Sequence, residues 1–138
     1  MRVDGCLRYL LSYFFRGFRE WNLEMLRFHD VLEYVNENLH QPITVRDLAN
    51  FKNFNVVYFS NLFSKYFGVS PKQYLINRRI AQAQKLLIRT EMSVKEICYE
   101  VGFQTESYFI RKFTKMLGLT PMQYRKNFLY LSSSQKEL

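Results

Sequence analysis

The stretch VVYFSNLFSKYFG in the first half of the chain is answered by ESYFIRKFTKMLG in the second. Tyr58, Phe59, Phe63, Lys65 and Gly68 return as Tyr108, Phe109, Phe113, Lys115 and Gly118, each 50 positions later. Pro71, Gln73 and Tyr74 continue the match as Pro121, Gln123 and Tyr124. A chain of 138 residues holds one domain, or two very small ones that share a core. The repeat selects the second arrangement: one supersecondary unit is written twice, and each copy must bury its own apolar face.

Both copies read as helix, tight turn, helix. Thr44 and Ser93 are placed to cap VRDLANF and VKEICYE, and Asp47 opposes the exposed amides of the first of these. Asn53 and Gly102 stand in the turns, where asparagine tolerates positive φ better than most residues. Asn55 and Thr105 cap the second helices, which stop at Gly68 and Gly118. Ala49 and Cys98 are small residues midway along the first helices, where the second helix crosses closely. Cys98 is therefore read as a core residue. Leu48 with Ile97, Phe54 with Phe103, Phe59 with Phe109 and Phe63 with Phe113 supply two small cores. The second copy carries one extra residue in its turn, so the first helices align at an offset of 49 and the second helices at 50.

Ser70-Pro71 opens a run that continues without Gly or further Pro to about Thr90, a rod of roughly 28 Å. Thr120-Pro121 opens a last helix carrying Tyr124, Phe128 and Leu129, and SSSQKEL reads as a polar, frayed tail. Ahead of the first copy, a helix from about Phe28 to Asn38 turns Val31, Leu32, Val35 and Leu39 inward. Earlier still, Leu7, Leu11, Phe14, Phe18, Trp21 and Met25 form one stripe. The expected fold is all-α: two helix-turn-helix subdomains joined by a long connecting helix, about seven helices plus an N-terminal amphipathic helix. The amphipathic helix occupies residues 1–24 and the tandem domain residues 25–138. Within the domain the units fall at about 28–70 and 91–130, with the connecting helix at 71–90.

Charge indicates the partner. The net charge is +8, and it is concentrated: residues 48–138 hold fourteen Lys and Arg against five acids, whereas residues 1–47 hold six Arg against seven acids. No acid lies between Asp47 and Glu91 or between Glu106 and Glu137, and each window contains one copy of the repeated helix. A solvated surface usually mixes both signs, so these windows read as faces turned to a polyanion.

Other functions find no support. Two cysteines 92 positions apart make neither a disulfide framework nor a metal pattern, and His29 and His40 stand alone. No phosphate loop, nucleophile elbow or metalloprotease pair occurs. The chain is read as a non-enzyme without a cofactor or metal. No apolar run approaches the ~18 residues of a membrane span, so the expected location is the cytoplasm.

The segments DLANFKNFNVVYFSNLFSKYFGVSPKQYL, RRIAQAQKLL and SVKEICYEVGFQTESYFIRKFTKMLGLTPMQYR together resemble the DNA-binding domain of AraC/XylS-type bacterial transcription regulators. The resemblance covers about residues 28–128 and is most specific in the second copy. It implies sequence-specific binding of double-stranded DNA in transcription control, with two recognition helices (about 56–66 and 106–117) in successive major grooves. Asn53 stands where that family often has Gly, and Cys98 where it usually has Ala. Such regulators commonly carry an upstream effector-binding and dimerisation domain. Residues 1–24 resemble the last helix of one. The expected partners are double-stranded DNA and RNA polymerase, with no membrane and with a homodimer contact through residues 7–25. The alternative is a protein-interaction module that associates through that same N-terminal stripe.

With Phe59, Leu62, Phe63 and Tyr66 inward, helical period turns Val57, Ser60, Asn61 and Ser64 outward. The same geometry turns out Ser107, Ile110, Arg111 and Thr114, and the resemblance places base contacts at these positions. The base-reading set is Val57, Ser60, Asn61, Glu106, Ser107, Ile110 and Arg111. Asn61 has the amide for adenine and Arg111 the fork for guanine, while Val57 and Ile110 suit a thymine methyl or are scattered surface residues. Glu106 is expected to orient Arg111. The DNA-backbone set is Asn55, Ser64, Lys65, Thr105, Lys112, Thr114 and Lys115. Arg78 and Arg79 are expected to pair with Asp47 or Glu96.

Overall fold

The computed structural model describes residue 23 and residues 26–136, so the N-terminal stripe lies outside the described residues. The described residues form seven helices: α1 His29–Glu37, α2 Val45–Phe51, α3 Val56–Phe67, α4 Pro71–Arg89, α5 Val94–Glu100, α6 Glu106–Leu117 and α7 Pro121–Lys136. Their bounds follow the capping residues. Thr44 accepts from the Asp47 N–H while Asp47 accepts from the Thr44 N–H, and Ser93 and Glu96 make the same reciprocal pair. Thr120 and Gln123 repeat it at the start of α7. Gly68 and Gly118 end α3 and α6 in the left-handed conformation, as expected for C-caps. Asn53 is the one non-glycine residue with positive φ, +57°, among the described residues. The polar segment SSSQK is not frayed: α7 runs through it to Lys136. The Ser132, Ser133 and Ser134 hydroxyls each donate to a carbonyl within the preceding turn.

Two cores result. The first gathers Val31 and Val35 of α1, Leu48 and Ala49 of α2, Phe59 and Phe63 of α3, and Leu75 of α4. The second gathers Ile76, Ile80, Ala83 and Leu87 of α4 with Ile97, Cys98, Phe109 and Phe113. Ala49 and Cys98 are fully buried, in keeping with a close helix crossing at each. Burial pushes the Cys98 thiol up, and Glu106 adds to that, so it remains a protonated, inert core group. Phe28 emerges as a hub that the helical pattern alone does not reveal. Its ring meets Phe59, Phe63 and Phe67 edge-on at centroid distances of 6.0, 5.8 and 5.6 Å.

Arg78 and Arg79 do not pair with Asp47 or Glu96, because those acids are committed to their own caps. Arg78 donates to the Asn36 side chain, and Arg79 donates to the backbone carbonyls of Leu39 and Gln41. Arg125 likewise donates to the Leu87 and Thr90 carbonyls. The Arg79 and Arg125 guanidiniums thus satisfy backbone carbonyls just beyond α1 and at the end of α4, which have no helical partner.

Candidate nucleic-acid interface

α3 and α6 are the second helices of the two units, and each is held in rotation by two phenylalanines one turn apart. Phe59 and Phe63, and Phe109 and Phe113, are at most 1% exposed. At ~100° per residue, the direction opposite that pair falls on Asn61 with Val57 in α3, and on Arg111 with Ser107 in α6. All four are exposed. Ser60 and Ile110 lie about 80° from the buried centre by the same period, and both are half-buried. Ile110 packs against the second core, whereas Val57 is 66% exposed. The two apolar residues read together in the sequence therefore part company.

Glu106 takes the register that Val56 has in the first copy. It is half-buried on the flank of α6, and its charge helps to raise the Cys98 thiol. It forms no ion pair with Arg111 among the described residues. The Arg111 guanidinium lies over the Tyr108 ring, 5.4 Å from the centroid, and the Lys112 ammonium lies 5.5 Å from the same ring. In α3, Lys65 lies 5.7 Å from the Tyr66 ring. Among the described residues the ion pairs are His29–Glu33 and Lys52–Asp30, so Lys65, Arg111, Lys112 and Lys115 have no acid partner there, and all but the half-buried Lys112 are exposed.

The caps divide their hydrogen-bonding capacity. Asn55 Oδ1 accepts from the Val57 N–H at 2.8 Å, and Thr105 Oγ1 accepts from the Tyr108 N–H at 3.3 Å. The Asn55 amide and the Thr105 hydroxyl proton remain to donate, beside first-turn amides that carry the positive end of the helix dipole. Ser64 is half-buried one turn beyond Ser60. Thr114 spends its hydroxyl proton on the Ile110 carbonyl at 2.7 Å, leaving only lone pairs to offer. Among the described residues, no group of His, Cys, Asp and Glu is arranged to hold a metal ion, and no helix is long and apolar enough to cross a membrane.

The sequence reading passed over one part of the surface. Lys72 and Arg79 of α4 line a cleft of about 400 Å³ between the two units, together with Thr44, Gln104, Thr105 and Tyr108. Thr44 comes from the first copy, Gln104, Thr105 and Tyr108 from the second, and the repeat does not show that they meet across α4. The extra turn residue, Gln104, was the available signal.

A family model described as a helix-turn-helix domain matches residues 48–127. The chain is 33% identical over 109 residues to the uncharacterized HTH-type transcriptional regulator YdiP of Escherichia coli, covering 79% of this chain and 36% of that protein. It is 34% identical over 101 residues to the transposon Tn10 TetD protein of Escherichia coli, covering 73% of each. The chain thus spans between 32% and 41% of the length of the first curated relatives it matches. Among solved structures, the C-terminal domain of the two-component response regulator yesN of Fusobacterium nucleatum superposes with a TM-score of 0.68 at 33% identity, covering 75% of this chain and 98% of that one. The DNA-binding domain of AdpA, solved in complex with a target DNA, superposes with a TM-score of 0.71 at 31% identity, covering 73% and 91%.

Proposed function

This chain belongs to the AraC/XylS-type family of helix-turn-helix transcription regulators, and from that premise we propose that it regulates transcription by seating α3 and α6 in successive major grooves of one duplex. The observation that carries the reading is the duplication itself. Two capped helices, held by the same phenylalanine pair, expose the same positions and both pack on one 19-residue helix. Successive grooves on one face of DNA lie ~34 Å apart, and the two units packed along α4, a rod of roughly 28 Å, supply a span of that order.

In this reading Asn61 and Arg111 read base edges, with Val57, Ser60, Ser107 and Ile110 beside them, and Tyr108 carries Arg111 toward the groove. Asn55, Thr105, Lys65, Lys112 and Lys115 hold phosphates. RNA polymerase as a second partner and a homodimer contact through residues 7–25 belong to the same proposal. Sedimentation of the full chain, alone and with the polymerase, reads both.

The test is a titration on the duplex that the chain selects from a random pool, beside a scrambled duplex, at several salt concentrations. Arg111→Ala is expected to cost ~1–3 kcal/mol on the selected duplex and to relax preference at one base pair. Lys115→Ala is expected to weaken both duplexes alike and to lower the salt slope by about one. Equal wild-type affinity for both duplexes, or a protected stretch of a single helical turn, would sink the proposal.

A further inference from the structure

The repeat has one irregularity, and the structure shows where it falls. The Phe54 N–H donates to the Ala49 carbonyl at 2.8 Å, and the Phe103 N–H donates to the Cys98 carbonyl at 3.0 Å, so the two turns match to that point at the shorter offset. From the caps Asn55 and Thr105 onward the longer offset applies. The inserted residue is therefore Gln104. It is exposed, and its side chain has no hydrogen-bond partner among the described residues.

Gln104 lies on the lining of the cleft between the units. Two cations line the same cleft and no acid does. Arg79 is fixed there by the Leu39 and Gln41 carbonyls, so it contributes a stationary charge at the floor. Lys72 is exposed and has no acid partner among the described residues. The nearby Asp47 is spent on the Thr44 N–H and hydroxyl at 2.8 and 2.9 Å. A concave, acid-free surface that carries two cations and a free amide is matched by an anion.

Position chooses which anion. Thr105, on the cleft wall, caps α6, so the cleft opens where the second recognition helix begins. A duplex held by α3 and α6 must carry its backbone across that opening on its way from one groove to the next. Resting on the DNA-binding reading above, we propose that the cleft seats a backbone phosphate of the DNA between the two grooves. The Lys72 ammonium and the Gln104 amide donate to it over the fixed charge of Arg79. The added residue of the second copy is then a binding device, placed where the chain meets DNA that neither recognition helix reads.

The experiment uses the full chain, with Lys72→Gln and Gln104→Ala, on the duplex selected by the wild type. The same duplex is also made with single uncharged methylphosphonate linkages placed in turn across the segment between the two protected grooves. Lys72→Gln should bind ~3–10-fold more weakly and lose about 0.9 of salt slope, and Gln104→Ala should bind ~2–5-fold more weakly. Both should keep the wild-type ratio between selected and base-substituted duplexes. One central methylphosphonate should weaken the wild type by a similar factor and weaken Lys72→Gln no further. Wild-type affinity and slope in Lys72→Gln overturn the phosphate seat alone, as does multiplication of the two losses. Absence of any duplex binding by the wild type, seen in the same titration, overturns the DNA-binding reading beneath it.

Discussion

Gly102 and Gly118 both adopt positive φ, +98° and +75°, yet they answer to different constraints. A Cβ on Gly118 meets open space, so replacement there costs only the backbone strain of an L-residue. A Cβ on Gly102 would overlap the Leu39 carbonyl oxygen and come within 2.9 Å of Arg79 Nε. That carbonyl also accepts from Arg79 and cannot yield without breaking the bond. Gly118→Ala is therefore expected to destabilise by ~1 kcal/mol and Gly102→Ala by ~3 kcal/mol or more. Urea unfolding of the two variants measures the difference, and equal losses would refute the packing argument. The sequence marks both glycines as turn residues. That Gly102 also touches the first unit is a tertiary fact, because the contact crosses from one copy to the other.

At the scale of elements, α2 and α5 are seven residues each, too short to persist alone. Their reciprocal caps and their packing hold them in place. Asp47 accepts from the Thr44 backbone N–H and then from its hydroxyl, and these bonds hold its carboxyl below the ordinary aspartate range, in that order of importance. A carboxyl whose folded pKa is depressed adds stability above its unfolded value, and that stability is lost as pH falls through the folded value. The cap should therefore support α2 fully at neutral pH and fade below about pH 4. Because the group is exposed, the effect is small. Asp47→Asn should remove that part of the acid dependence, read as a flatter pH profile of the urea midpoint between neutral and acid. An unchanged profile would refute the role of the Asp47 carboxylate.

For the whole molecule, the connecting helix is a shared wall. Leu75 belongs to the first core and its neighbour Ile76 to the second. Arg79 ties α4 back to the end of α1, and Arg125 ties α7 to the end of α4. A helix whose two ends lie in different cores couples them, so the chain should unfold in one transition. Leu75→Ala, 3% exposed in the first core, should cost ~2–5 kcal/mol. It should lower hydrogen-exchange protection at Ile97 and Phe109 in the second unit as well as at Val31 and Leu48 in the first. Protection lost in the first unit alone would show that the units open independently.

Helix number, caps, turn glycines and the two phenylalanine pairs were legible in the chain, because each depends on neighbours within a turn or two. The duplication made the outward faces legible too: one rotation, set by two buried rings, was written twice. Residues whose role rests on distant contacts were not legible. Phe28 lies ahead of its helix, and its place among Phe59, Phe63 and Phe67 depends on how α1 crosses α3. Arg79 found carbonyls rather than carboxylates because Asp47 and Glu96 were already bound to their own caps. Helical period and local composition determined what each segment is and which way it faces. Only tertiary packing decided what lies between the two units, because that surface is assembled from the segment leading into α2, from α4, and from the turn and first residues of α6, which no local pattern brings together.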